Sequence, residues 1–246
     1  MTKHPHYSRA PITEATIDLA VDSADVADIS RLAEFNTSVK ANYPDVQPIY
    51  ESEFRFQVGG QPLAENTQQH IGFRLTSKDR KQVILARVGG FALSLLPPYD
   101  NWEPFRDQAR VLWNEYKSVM DPKAVTRIAV RYINRLDIPS ASIELGEFLR
   151  TVPELSPDMP QTLLEYFMRL VVPVEDVVAR AIINQALVLP PPQPDTTSIV
   201  LDIDLFRDTD IPQDEDSIWS LFERLRDHKN DIFNACLTAK TKELIQ

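Results

Sequence analysis

The hydrophobic pattern of this chain switches repeatedly between a period of two and a period of 3.6 residues, and that alternation confines it to an α+β fold of interleaved strands and helices. Residues 14–21 read as a strand with Ala15, Ile17, Leu19 and Val21 on one face. Asp22 or Ser23 then caps a helix through Val26, Ile29, Leu32, Phe35 and Val39, ended by Tyr43-Pro44. Strands at 53–58, 70–76, 82–88 and 91–96 follow, the last two forming a hairpin about Gly89-Gly90. Beyond Pro97-Pro98, Asp100 and Glu103 have the spacing of a capping box. They open a helix whose stripe is Trp102, Phe105, Ala109, Leu112, Tyr116 and Val119, ending near Pro122.

The second half repeats the theme: a long strand at 125–138, a short helix at 145–152, strands at 162–172, 178–189 and 198–206, then a final helix. That helix starts among Asp214, Glu215 and Asp216, which favour the positive end of its dipole, and reaches almost to the last residue with Ile218, Leu221, Phe222, Leu225, Ile232, Phe233 and Cys236 inward. An aromatic pair opens the long helix of each half, Trp102/Phe105 and Trp219/Phe222. The reading is two pseudo-repeated halves, 1–122 and 123–246, in one compact structural unit. Each runs strand, helix, antiparallel strands, long helix. Together they form a curved antiparallel sheet with helices packed on one face, leaving the other face to bind something.

Composition excludes several classes of function. With 26 basic against 36 acidic residues the net charge is -10, so the overall field repels nucleic acid and anionic membrane, and only a local basic face would bind nucleic acid. The single cysteine, Cys236, forms no intramolecular disulfide or thiolate cluster and falls in the apolar phase of the last helix, where it reads as core filler. No apolar run is long enough for a membrane span, and 1–10 has no secretory pattern, so a cytoplasmic protein is expected. No G-x-S-x-G elbow, H-E-x-x-H pair, Walker loop or dinucleotide fingerprint occurs. The histidines, His4, His6, His70 and His228, suggest no nucleophilic pairing, and no cofactor is expected.

The most suggestive residues lie at 125–138. Arg127, Arg131 and Arg135 recur every fourth position and share one face of a strand, with Ile128, Val130, Tyr132, Leu136 and Ile138 on the other. Three guanidiniums spread over about 26 Å, at ~3.3 Å per residue, suit a phosphate chain or an acidic partner. The alternative is an internal network in which Asp202 and Asp204 pair with them, the default for arginine within a sheet. Asp202 with Asp204, or Glu51 with Glu53 and Arg55 beyond, have a spacing a divalent cation accepts, but no phosphate loop sits beside them and salt-bridged carboxylates are the simpler reading; no metal ligand is assigned. Tyr99 and Trp102, after Leu96-Pro97-Pro98, form an aromatic corner that either stacks on a ligand or plugs a core. The prolines at 190–192 and 194 read as a stiff connection.

Three motifs carry a resemblance. Ala10-Pro11-Ile12-Thr13-Glu14-Ala15, Leu95-Leu96-Pro97-Pro98-Tyr99 with Trp102 and Phe105, and Arg127-Ile128-Ala129-Val130-Arg131-Tyr132-Ile133-Asn134 resemble a sporadically distributed, uncharacterised family of bacterial proteins of about this length. Asp202-Ile203-Asp204 and the helix with Trp219 fall where that family has a similar strand and final helix. The resemblance implies no activity and no catalytic residue. It implies a patchy distribution typical of genes that travel with defence or toxin–antitoxin modules. The expectation is a non-enzymatic protein that binds another protein, as an antitoxin, immunity or accessory factor, with a homodimer compatible. The alternative is a small-ligand or nucleotide-binding domain, enzymatic or not, whose Arg127, Arg131 and Arg135 hold phosphates.

Overall fold

The structure is a computed structural model and describes residues 7–22, 29–56, 64–188 and 195–246. The expectations resting on His4, His6, Ser23, Val26, Val58 and the prolines at 190–192 and 194, and on the side chains of Glu53 and Arg55, lie outside the described residues. The architecture is α+β: among the described residues, a large antiparallel sheet and five α-helices. The strands are β1 (Ile12–Asp22), β2 (Asp45–Phe56), β3 (Ala64–Thr76), β4 (Gln82–Arg87), β5 (Gly90–Leu95), β6 (Ala124–Ile138), β7 (Phe167–Val174), β8 (Ala179–Leu187) and β9 (Thr197–Arg207). The helices are α1 (Ile29–Val39), α2 (Trp102–Met120), α3 (Leu145–Phe148), α4 (Glu215–Cys236) and α5 (Ala239–Leu244). Strand order is β2-β3-β4-β5-β1-β6-β9-β8-β7. No described helix is long and apolar enough to cross a membrane.

The chain divides into two compact units, one of residues 17–96 and 101–126, the other of 1–16, 97–100 and 127–246. In the first, α2 packs on α1 and on β5, and it buries Trp102, Phe105, Ala109, Leu112, Trp113, Tyr116 and Met120. Phe35, Phe91, Trp113 and Tyr116 meet there as an aromatic core. The Tyr116 hydroxyl donates to the Arg87 carbonyl at 2.8 Å, which satisfies its polar end inside that core. Gly90 is held to glycine by close approach, because a Cβ there would lie 2.5 Å from the Leu19 carbonyl oxygen.

In the second unit, α4 packs against β9 and reaches Tyr132 of β6 through Lys229, on one face of the sheet. Ile128, Val130, Tyr132, Leu136 and Ile138 point to that face, with Ile199, Leu201, Ile203 and Leu205 from β9 and Ala181 and Ile183 from β8. From α4 come Ile218, Leu221, Phe222, Leu225, Lys229, Phe233 and Cys236. Burial pushes the Cys236 thiol up to about 11, which leaves it protonated and inert, as core filler requires.

The structure corrects several boundaries. The strand expected at 53–58 begins at Asp45 and the one at 70–76 at Ala64, because their pairing, Asp45 opposite Thr76 to Phe56 opposite Ala64, runs through polar residues that have no alternating pattern. The strand expected from 162 starts at Phe167. The helix at 145–152 stops at Phe148, and Leu149 turns out to bridge Leu237; Pro153 disfavours helix at the residue before it. The final helix breaks after Cys236, where Leu237 is extended and the Thr238 hydroxyl caps α5 by accepting from the Thr241 amide. No capping box forms at α2: Asn101 holds the cap position without a side-chain bond. At α4 Asp214 does cap, accepting from the Ser217 amide at 2.9 Å.

Candidate functional site

On β6 the three arginines share the face turned away from α4, as strand geometry requires. β9 runs antiparallel beside it, with Arg131 opposite Asp204 and Ile133 opposite Asp202, so both aspartates lie on the arginine face. Each guanidinium finds a carboxylate. Arg131 grips Asp202 through two parallel bonds of 2.8 Å, Nε to one oxygen and an Nη to the other. Arg127 reaches Asp204 at 3.0 Å. Arg135 folds onto Asp137 of its own strand at 3.0 Å.

The pairs differ in enclosure. Asp202 is buried and also accepts from the Asn184 amide at 3.0 Å, whereas the Arg131 side chain is 49% exposed. The Asp202 hydrogen bond is the main reason the Arg131 guanidinium holds its proton above the ordinary arginine value, partly opposed by burial. Phe206 carries Arg127 and Arg180 over its ring at 4.6 and 4.9 Å, stacking that lends cationic side chains an apolar partner. Arg135 and Asp137 are both well exposed, so Arg135→Ala is expected to cost less than about 1 kcal/mol in a urea melt. A loss of several times that would show Arg135 to be a framework residue.

Tyr99 and Trp102 do not join the arginines. The Tyr99 hydroxyl lies 2.9 Å from that of Tyr132, which points to the α4-covered face, and their rings meet edge to face at 5.5 Å. Trp102 is buried at the start of α2 against Phe105. Among the described residues no group of three or more His, Cys, Asp or Glu side chains is placed to hold a metal ion.

Two features escape the sequence reading. Lys229 is only 5% exposed, and its Nζ stands 3.6 Å from the centre of the Tyr132 ring, donating to the Asn230 Oδ1 at 2.6 Å. Burial, then the neighbouring Arg226 charge, lowers its ammonium to about 7. A signal was present: Phe222, Leu225, Lys229 and Phe233 follow the stripe spacing of α4. The second feature is β7. Among the described residues no strand lies beyond it, and it presents Phe167 at 69% and Val171 at 55% exposure, with Leu164 at 79% just before it. An apolar row of this kind on a terminal strand is a recognition surface or an aggregation hazard. Its exposure could not be read from hydrophobicity alone, which would bury it.

Compared with protein-family models and with curated proteins, the chain matches none.

Proposed function

We propose that this protein is a non-enzymatic binding protein that holds another protein at the β7 margin of its sheet, in the manner of an antitoxin, immunity or accessory factor. The observation that carries this reading is the exposed pair Phe167 and Val171, with Leu164 just before them, on a strand whose outer edge has no described neighbour. An extended segment laid along that edge gains main-chain hydrogen bonds from β7 and buries Phe167 and Val171. The acidic net charge speeds encounter with a basic partner.

The arginine face supports the phosphate-binding alternative less well. Arg127, Arg131 and Arg135 already hold aspartates, so a phosphate entering there would have to displace a bonded carboxylate or approach against its charge. We also read the two halves as a duplication, and on its motifs we place the chain with the sporadically distributed bacterial family. The strand order supports the duplication, since β1 and β6 stand side by side, each flanked by the last strand of its own half.

Purified from its native host, the protein is expected to carry a stoichiometric protein partner that the doubly substituted Phe167→Asp, Val171→Asp form loses at unchanged melting temperature. Nucleoside triphosphates should leave that temperature where it was. A shift of several degrees with a triphosphate, abolished by Arg131→Met, would reverse the assignment in favour of the arginine face.

A further inference from the structure

We propose that the partner fitted to β7 is a second copy of this chain, paired antiparallel about a two-fold axis at Phe167; this rests on the reading of β7 as the binding margin. Pro173 fixes which way the backbone of β7 faces. It stands opposite Arg180 in the β7–β8 ladder, and a proline is accepted there only where its nitrogen faces away from the neighbouring strand. Residues of the same parity, Phe167, Arg169 and Val171, therefore turn their amide groups to the open edge. Their side chains share the exposed face.

Charge then selects the register. β7 carries a single charged side chain, Arg169, and the nearest acid preceding it is Glu165. Both are exposed, and Glu165 has no hydrogen-bond or ion-pair partner among the described residues, while Arg169 makes one long contact, 3.4 Å, to Asn184. Glu165 lies two residues before Phe167 and Arg169 two after it. An axis at Phe167 sets Glu165 of each copy opposite Arg169 of the other, twice over, and brings the two Phe167 rings together on the same face. The competing registers are worse. An axis at Arg169 opposes two arginines, one at Met168 leaves Glu165 facing Val171, and one at Val171 draws Pro173, which has no N–H, into the new ladder. In the favoured register Pro173 lies outside the pairing and limits it. Residues 165 and 166, which precede β7, join the strand when the copy docks.

Such pairing is isologous and closes on itself, so it stops at a dimer. It also brings the exposed Phe167 ring against its copy instead of water.

The test is a charge exchange on the full chain, read by sedimentation equilibrium and by co-purification of two differently tagged copies. Arg169→Glu alone, or Glu165→Arg alone, puts like charges across from each other at both ends and is expected to weaken self-association on the order of tenfold. The double variant E165R/R169E restores it. A wild-type chain that sediments as a monomer, or a double variant no tighter than either single one, overturns the self-pairing. Phe167→Asp separates the two levels. If it releases a different protein from a monomeric chain, the binding margin stands and the second copy is wrong; if it changes no association at all, both fall.

Discussion

Replacing Lys229 with methionine is expected to make the protein more stable near neutral pH, on the order of the 1–4 kcal/mol gained when buried ion pairs give way to apolar residues of similar volume. The ammonium group sits in the core with no carboxylate partner among the described residues and with Arg226 as a like-charged neighbour. The Tyr132 ring and the Asn230 side chain offset part of that cost, and methionine keeps most of the aliphatic stem. The sign of the pH dependence follows from the lowered ammonium. Between about pH 7, where the folded state loses the proton, and 10.5, where the unfolded chain does, the unfolded state binds more protons, so stability rises with pH. Lys229→Met removes that rise. Its advantage over the wild type should therefore be full at and below about pH 7 and vanish towards 10.5. Urea denaturation of both proteins across that span checks it, and parallel profiles would mean that the amine finds solvent or a counter-charge.

Removing Asp202 is expected to act in the opposite direction. Asp202→Ala deprives Arg131 of both bonds and the Asn184 amide of its acceptor in one step. Breaking a fully buried pair costs about 3–5 kcal/mol. The half-exposed Arg131 can rehydrate, which brings the expected loss down to about 2 kcal/mol. In a domain of this size that is a fall of roughly 4–8 °C in melting temperature. Asp202→Asn should lose most of it, since shape is kept but charge is not. Arg135→Ala, at the exposed end of the same row, serves as the comparison. If the two substitutions cost the same, the gradient of enclosure along β6 has no energetic meaning.

The contrast between these residues shows what could be read in advance. Alternation at 125–138 separates the arginines from Ile128, Val130, Tyr132, Leu136 and Ile138 without any coordinates, because successive side chains of a strand must oppose each other. Asp202 and Asp204 were legible as candidates for the same reason. Their assignment was not: Arg131 takes Asp202 rather than the directly opposite Asp204, and Arg135 turns to Asp137, choices made by the pairing register and by side-chain reach. Lys229 shows the reverse failure. Its position in the stripe of α4 was visible, but a lysine there ordinarily snorkels to water, and only the closeness of Tyr132 and the sheet denies it that route. The pairing of the arm β2–β3 was hidden, since its exposed polar residues have no periodicity to betray a strand.

Local rules therefore settled which segments are strands and helices where one side is oily, which side of each is inward, and that the single cysteine is filler. They could do so because periodicity is a property of neighbours along the chain. Strand order, the exposure of Phe167 and the enclosure of Lys229 depend on groups far apart in the chain meeting in space, and no spacing of residues encodes them. β7 is apolar in sequence and would be buried in the middle of any sheet; only its place at the end of the described strands leaves it open.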